Sequence, residues 1–347
     1  MATYKDIQRL TGLSLSTISK YFNELPVREA NRVAIEAAVE QLGFRRNAFA
    51  RGLRTRRSQV VGVLLPELNN PFLMGIVAGI ERELQAAGVG LLVRATHDDP
   101  VAGVLALRDR MVDGILMVPA ADIAADALVG AAGDIPIILV DRELDGLAFD
   151  SVTIDNEQAA ATAAQCLIAF GHERLAAIVG PSRIWTMRRR AAGFVEACQA
   201  AGLPDPVVVE ADELAVPAGY AAMSRLLASS PRPSGVLCAN DALTLGALTA
   251  IGNAGLAIPG DVSLIGFDSA DLAQVTKPRL WTLVQPLDDM AREAAARMLE
   301  WLAGAGETGR EIVLRAQLAP GDSVGAPPPR PGRRDSLQGA DRSAPES

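Results

Sequence analysis

With three cysteines, two histidines and only 4% aromatic residues, this 347-residue chain has little of what metal and disulfide sites are made from. Cys166, Cys198 and Cys238 are odd in number, widely spaced and form no C-x-x-C pair. That pattern excludes a disulfide scaffold or zinc ribbon and fits a reducing compartment. His97 and His172 are too few for a histidine-based metal centre, so no metal is expected. No run of 18 uninterrupted apolar residues exists to span a membrane. The N-terminus also lacks the basic, apolar and small-residue succession of a signal peptide, so the expected location is cytoplasmic. No G-x-G-x-x-G follows the first predicted strand, and there is no P-loop and no G-x-S-x-G. Neither a nucleotide cofactor nor catalysis is therefore expected.

What is present is a marked division of charge. The chain carries 33 Lys/Arg against 41 Asp/Glu, a net −8 that argues against a nucleic-acid partner if taken whole. Residues 1–58, however, hold 11 Lys/Arg and 5 Asp/Glu, a balance of +6, leaving the remainder at −14. A cationic head of this kind can neutralise several DNA phosphates, while an acidic body is repelled by the duplex.

Within that head, TYKDIQRLTGLSLSTISKYFN (residues 3–23) reads as a helix-turn-helix. Thr3 and Asp6 fit a capping box, with Ile7 and Leu10 on one face, and Gly12 supplies the left-handed break. Ser14 caps a second helix in which Ile18 and either Tyr21 or Phe22 point inward. Leu15, Ser16, Thr17, Ser19 and Lys20 are left on its first turn and outer face, where a helix can enter a major groove. Leu15 suits a thymine methyl, Ser16 either base type, and Lys20 a guanine edge or a phosphate. Thr17 and Ser19 suit phosphate contacts or caps.

A third helix is predicted near Arg28–Leu42, with Val33, Ala37, Ala38 and Leu42 as its apolar face. Residues 44–57, FRRNAFARGLRTRR, read as a linker with one helical stretch from Asn47 to Leu53 that could fold on DNA. From Val60 onward, short β-branched runs alternate with Ala-rich helices, which predicts two doubly wound α/β units with parallel sheets. Strands are predicted at Val60–Leu65, Val89–Ala95, Gly114–Val118, Ile135–Val140, Leu175–Val179, Val207–Ala211, Gly235–Ala239 and Val262–Phe267. A helix at Asp288–Ala303 and a strand at Glu311–Gln317 are expected to return to the first unit, giving three crossings that act as a hinge. The organisation expected is a helix-turn-helix head at 1–45, a hinge at 46–58 and a core at 59–324. One subdomain of that core covers 59–156 and 287–318, and the other 157–286. The Pro-rich tail, 325–347, is expected to be disordered and lacks the Leu heptads of a tetramerising coiled coil.

Over residues 2–324 the chain resembles the LacI/GalR (lactose/galactose repressor) family. The resemblance rests on the head segment above and on QLGFRRNAFARGLRT, VGVLLPELNNPF, RMVDGILMVP, PIILVDR and SVTIDN. LIAFGHERLAAIVGP, RRRAAGF, GVLCANDALTLGAL, IPGDVSLIGFD and TLVQP extend it in the same order. It implies a homodimeric, effector-responsive transcription regulator, most often a repressor, on a near-palindromic operator, with a core like that of periplasmic sugar-binding proteins. By position it implies DNA contacts at Thr3, Leu15, Ser16, Thr17, Ser19 and Lys20, and in the hinge at Asn47, Ala50, Arg51 and Leu53. Leu53 matches a minor-groove wedge, with packing onto the head as the alternative. Many relatives have Pro before the hinge Asn, where this chain has Arg46, which weakens the preset helix start.

Ligands of doubly wound sheets collect beyond the carboxyl ends of the strands. Asn70, Asp98 and Asp141 hold such positions in the first unit, and Asn240 and Asp268 in the second. Arg190 opens the R-A-A-G-F motif and, with Asn240 and Asp268, matches ligand positions of the family, although it also sits in a run with Arg188 and Arg189. Phe72 and Trp185 could supply an apolar face for a sugar ring; Trp281 could do so or be core. Asp241 is expected to cap the following helix, and Asn70 to hold the turn before Pro71. The set suits a neutral polyhydroxylated effector, with a purine as the other class. The competing function is a transport receptor that binds sugar and no DNA.

Overall fold

The computed structural model describes residues 2–23, 25–44, 57–96, 99–120, 123–144, 149–268 and 270–328. The hinge positions Asn47, Ala50, Arg51 and Leu53, the candidate Asp98, and 329–347 of the tail lie outside them. The chain divides into two compact units, Met1–Ser58 and Gln59–Ser347.

The first unit holds helices α1 (Tyr4–Thr11), α2 (Leu15–Phe22) and α3 (Glu29–Leu42). Gly12 ends α1 in the left-handed region (φ 69°), and Ser14 Oγ accepts the Thr17 N–H at 3.2 Å to start α2. A small core of Ile7, Ile18, Ile35 and Ala38 joins the three helices. Tyr4 stacks on Phe22 with ring centroids 5.0 Å apart, and Phe44 closes over both. Two expected faces are corrected. Leu10 is exposed, and so are Val33 and Ala37. The inward stripe of α3 is Ile35, Ala38, Val39 and Leu42, an i, i+3, i+4, i+7 set displaced from the one predicted.

The second unit consists of two lobes with identical strand order. In the first sheet the order is β11-β5-β4-β3-β1-β2, and in the second β12-β10-β9-β8-β6-β7. The first lobe runs β1 (Val60–Leu65), α4 (Pro71–Ala86), β2 (Gly90–Ala95), α5 (Pro100–Arg108), β3 (Gly114–Met117), α6 (Ala125–Ala132), β4 (Ile137–Val140) and β5 (Asp150–Ile154). The second runs α7 (Asn156–Ala169), β6 (Leu175–Val179), α8 (Trp185–Ala200), β7 (Val207–Glu210), α9 (Val216–Ala228), β8 (Gly235–Cys238), α10 (Asp241–Asn253), β9 (Ser263–Phe267), α11 (Ala270–Val275) and β10 (Trp281–Val284). Then α12 (Leu287–Leu302) and β11 (Glu311–Leu314) return to the first lobe, and β12 (Gln317–Ala319) belongs to the second. All described pairings are parallel except β10 with β12.

The chain therefore crosses between lobes three times, after β5, after β10 and between β11 and β12. The single strand predicted at Glu311–Gln317 is broken at Arg315-Ala316, and its last residues pair with β10 in the other sheet. The first four residues of the expected tail are also part of the fold. Gly325 donates its N–H to Ser263 Oγ at 3.1 Å, so 325–328 belong to the second lobe. His172 is buried beneath it, with one ring nitrogen 2.9 Å from Ser234 Oγ and the other 3.0 Å from Ser263 Oγ. Burial lowers its pKa, which fits a structural, neutral imidazole.

Candidate functional site

On the head, α2 presents Leu15, Ser16 and Lys20 as exposed side chains on its first turn and outer face. Thr17 and Ser19 are half-buried and engaged locally. Thr17 Oγ1 lies 2.9 Å from Ser14 Oγ, and Ser19 Oγ accepts from Asn23 Nδ2 at 3.3 Å. Thr3 is committed to its own helix. Its N–H and hydroxyl both meet Asp6 Oδ2, at 2.9 and 2.8 Å, and these bonds hold the Asp6 carboxyl below its ordinary pKa. The face free to meet a groove is thus narrow: one apolar, one hydroxyl and one cationic side chain.

In the second unit the carboxyl ends of the two sheets face each other across a crevice made of two adjoining hollows, each of about 530 Å³. Pro71, Val216, Asp241 and Ala242 are common to both. The more apolar hollow is lined by Phe72, Leu245, Leu272 and Leu287, with Asp268 and Gln285 as polar groups. The more polar one is lined by Glu67, Asn69, Asn70 and Arg142 of the first lobe and by Arg183 and Glu213 of the second.

Beneath the crevice lies a buried charge cluster. Arg190, 2% exposed, donates Nε to Asn156 Oδ1 at 2.8 Å and Nη1 to the Ala239 carbonyl at 2.5 Å. Its guanidinium sits over the Phe267 ring, 3.5 Å from the centroid, and 3.9 Å from Asp268 Oδ2. Arg188 and Arg189 are exposed, so the run of three arginines contributes one side chain to the interior. Gln285 Nε2 donates to both Asp268 oxygens, each at 2.9 Å. Asp141 pairs with Arg142 Nε at 3.4 Å, and Arg142 Nη1 also reaches the carbonyls of Pro119 and Ala120 at 2.7 and 3.1 Å.

Desolvation dominates the protonation of this cluster. Burial pushes Asp268 up to about 7, opposed by Arg190 and the Gln285 bond and helped by the charges of Asp141 and Asp241. Asp141 and Asp241 are raised for the same first reason, and burial lowers Arg190 and Arg142. Within this cluster, among the described residues, two buried acceptors lack a protein donor, Asp141 Oδ1 and Gln285 Oε1. Such acceptors call for hydroxyl or amine hydrogens from a bound molecule.

The structure brings together Phe72, Asp268 and Asn70 along the crevice, with Asp141 and Arg190 beneath it. It rearranges the rest. Asn240, not Asp241, caps α10, its Oδ1 accepting the Leu243 N–H at 2.9 Å, while Asp241 lines both hollows. Asn70 is a cap as well as a lining residue, its Oδ1 accepting the N–H groups of Phe72 and Leu73. Trp185 leaves the set: it lines a separate, smaller hollow with Thr153 and Glu311, and Arg189 lies over its ring at 5.3 Å. Trp281 packs edge-on to Phe170 with centroids 6.2 Å apart and is core. Gln285 was not proposed from sequence, whereas Arg142 and Asp241 stand beside Asp141 and Asn240 at the strand ends, Asp241 being expected as a cap. Gln285 sits in TLVQP, a quoted segment, but nothing in its spacing marked the side chain as inward.

Comparison with known proteins places these features. A profile of the periplasmic binding protein-like domain matches residues 164–324. The transcriptional regulator GalR of Salmonella typhimurium is 33% identical over 317 residues, covering 88% of this chain and 90% of that protein. The repressor CytR of Escherichia coli K12 is 30% identical over 311 residues, covering 87% and 90%. A crystal structure of the lac repressor dimer bound to operator and an anti-inducer superposes with a TM-score of 0.85 at 25% identity, covering 94% of this chain and 99% of that one. The regulator CelR in complex with cellobiose gives 0.72 at 27%, covering 93% and 100%.

Proposed function

The chain belongs to the LacI/GalR family, and from that premise we propose that it is a homodimeric transcriptional repressor whose grip on operator DNA is set by a polyhydroxylated effector held between its two lobes. It is a regulator and not an enzyme, as its relatives are. The head supplies Leu15 and Ser16 to base edges and Lys20 to a phosphate or a guanine edge, with Thr3, Thr17 and Ser19 shaping and flanking that face. Asn47, Ala50, Arg51 and Leu53 form the minor-groove hinge, Leu53 as its wedge. The protein acts in the cytoplasm, where the chromosome is.

The observation that carries the effector half is the pairing of Arg190 and Asp268 under the crevice, with Gln285 spanning both carboxylate oxygens. A carboxylate and a guanidinium held this rigidly can take two adjacent hydroxyls, and Phe72 offers a flat apolar wall. A lac repressor dimer holding operator and anti-inducer, and CelR holding cellobiose, support this division between head and crevice.

Because the three inter-lobe segments are the only described covalent links between lobes, a ligand that favours one lobe arrangement biases whatever reads that arrangement. Effector and operator then change each other's affinity by the same factor. The test is fluorescence anisotropy of near-palindromic duplexes, selected from random sequence, with and without candidate sugars and purines. Sequence-selective binding that shifts with one of them is expected. Absence of any preference over random duplex overturns the reading.

A further inference from the structure

We infer that the effector carries a cationic amino group, held between Glu67 of the first lobe and Asp241 of the second. The inference rests on the crevice being the effector site and specifies what that site accepts. Five carboxylates line the two hollows, Glu67, Glu213, Asp241, Asp268 and Asp271, against the guanidiniums of Arg142 and Arg183. Arg142 is committed to Asp141 and to two backbone carbonyls, and Asp268 to Arg190 and Gln285. Those pairs cancel and leave the lining electronegative.

Glu67 and Asp241 come from opposite lobes and face the same polar hollow. Their hydrogen-bond partners are neutral: Glu67 Oε1 accepts from Asn70 Nδ2 at 3.2 Å, and Asp241 Oδ1 from the Ala242 N–H at 2.8 Å, while the cation that Glu67 faces, Arg142, is already held by Asp141 and two backbone carbonyls. Burial raises the Asp241 pKa against the N–H groups of Ala242 and Asp241 itself, and the charge of Glu67 across the hollow adds a smaller push in the same direction as burial. Bringing the lobes together without a cation between these carboxylates is unfavourable; an ammonium turns that repulsion into two attractions.

A separate observation points to a donor-bearing ligand in the same crevice. Gln285 is 4% exposed, lines the hollow beside Asp241 and Asp268, and its Oε1 has no partner. With Asp268 ionised, flipping the amide would aim that oxygen at a carboxylate, so the ionised site keeps the orphan acceptor. Hydroxyl donors satisfy Gln285 Oε1, and the amine satisfies the two carboxylates. A phosphate or carboxylate on the ligand meets like charge in the same space.

The test uses the full chain and matched triples of probes in the gluco, galacto and manno series: the neutral hexose, its 2-amino-2-deoxy form and its 6-phosphate. Thermal shift and operator anisotropy are read for each. At least one amino sugar is expected to act at about tenfold lower concentration than its neutral partner, with the phosphates inert. Glu67→Gln combined with Asp241→Asn should erase that preference while operator binding persists. If the double variant does not fold, Glu67→Gln alone must narrow the preference.

A neutral or phosphorylated sugar as potent as its amine, a preference that survives the substitutions, or no response to any amino sugar at millimolar concentration each overturns the inference. In the first case the sugar still moves operator affinity, so the regulator reading stands. Loss of that reading shows instead as absent operator selectivity.

Discussion

Asp141 and Asp268 occupy equivalent points in the two lobes. Each follows the third strand from one edge of its sheet, β4 or β9, with a left-handed backbone (φ 68° and 60°). Each donates its N–H to the neighbouring strand, Asp141 to the Val152 carbonyl at 2.9 Å and Asp268 to the Leu283 carbonyl at 2.8 Å. Asp is among the few side chains that tolerate this backbone, so one residue type both turns the chain and delivers a carboxylate beneath the crevice. The two differ in what they meet: Asp141 pairs with Arg142 beside it, while Asp268 is held by Gln285 and faces Arg190.

Asp268→Asn separates charge from shape. Asn tolerates the same backbone and keeps an acceptor for Gln285. Because burial already pushes Asp268 up to about 7, the native carboxyl is close to half protonated at neutral pH, and the amide imitates that neutral form. A small change in melting temperature is therefore expected near pH 6. Effector response should fall by about tenfold or more, with operator affinity in the absence of effector unchanged. Calorimetric titration of effector together with operator anisotropy checks both halves; an unchanged effector affinity would remove Asp268 from the site.

The same carboxyl predicts a pH dependence with a definite sign. Its folded pKa of about 7 lies above the unfolded value of 3.8. Below about pH 4 it is protonated in both states and contributes nothing. Between about 4 and 7 the folded state keeps a proton that the unfolded state has lost, so stability declines as pH rises, by at most ~1.4 kcal/mol per unit. Above about 7 the loss is complete and flat. Asp141 and Asp241 are raised by burial too and tilt the same way, so the wild type must be compared with Asp268→Asn. Urea unfolding at pH 6 and pH 8 should show a larger fall for the wild type; equal falls would contradict the assignment.

Much of this architecture was legible because buried parallel strands are written as short β-branched runs, and β1, β4, β6 and β9 carry that signature. β5 and β10 were missed as strands. DSVTI and WTLV mix polar or bulky residues into a buried strand, Ser151 and Thr153 being buried although polar. In the site, Arg190 and Asp268 were legible through motif register. The exchange of roles between Asn240 and Asp241 was not: both are good caps, and only the backbone decides which stands at the cap and which one residue on, facing the crevice. Trp185 was misplaced for a related reason. A residue at the start of α8 is near the crevice in sequence, but Trp185 lines a different hollow, shared with Thr153 and Glu311.

On the head, Leu15→Ala and Lys20→Ala should fail differently. Leu15 is 41% exposed on the first turn of α2 and offers only apolar surface, so its loss should relax sequence preference and leave the salt dependence of binding intact. Lys20 carries charge, and its loss should lower the slope of log affinity against log salt by about one per bound head. Anisotropy across a salt series distinguishes them; identical slopes for Lys20→Ala and the wild type would take that side chain off the phosphates and leave it the guanine edge.

Gly246→Ala tests the packing of the second lobe. The Gly246 backbone of α10 lies so close to α9 that an added Cβ would sit 2.2 Å from the Val216 carbonyl oxygen and 2.5 Å from the Tyr220 nitrogen. Backbone cannot step aside as a side chain can, so the two helices must separate. A loss of about 1–3 kcal/mol is expected, although alanine is the better helix former. Gly252→Ala, where a Cβ meets nothing within 4 Å, is the control and should be neutral or stabilising. Similar melting temperatures for the two variants would mean that α9 and α10 are not in close contact.

The first lobe is tied at its far edge by Asp150, 2% exposed, at the start of β5. One carboxylate accepts from Arg297 Nε at 2.7 Å, Trp301 Nε1 at 2.6 Å and the Arg310 N–H at 2.9 Å, joining α12 and the entry to β11 to the strand that leads into the first crossing. Arg297 also reaches Glu300 and the Glu307 carbonyl. Asp150→Asn keeps the size of the group but leaves the buried guanidinium only the half-exposed Glu300 as charge partner, at a cost of about 1–3 kcal/mol. Asp150→Leu with Arg297→Met removes both charges, so the pair should lose less than the sum of its single substitutions. A urea-unfolding cycle over the four proteins measures this coupling. Strict additivity would show that the bond between Asp150 and Arg297 does not hold β5 to α12, and the stability of that edge would then lie in the Trp301 contact and the apolar packing.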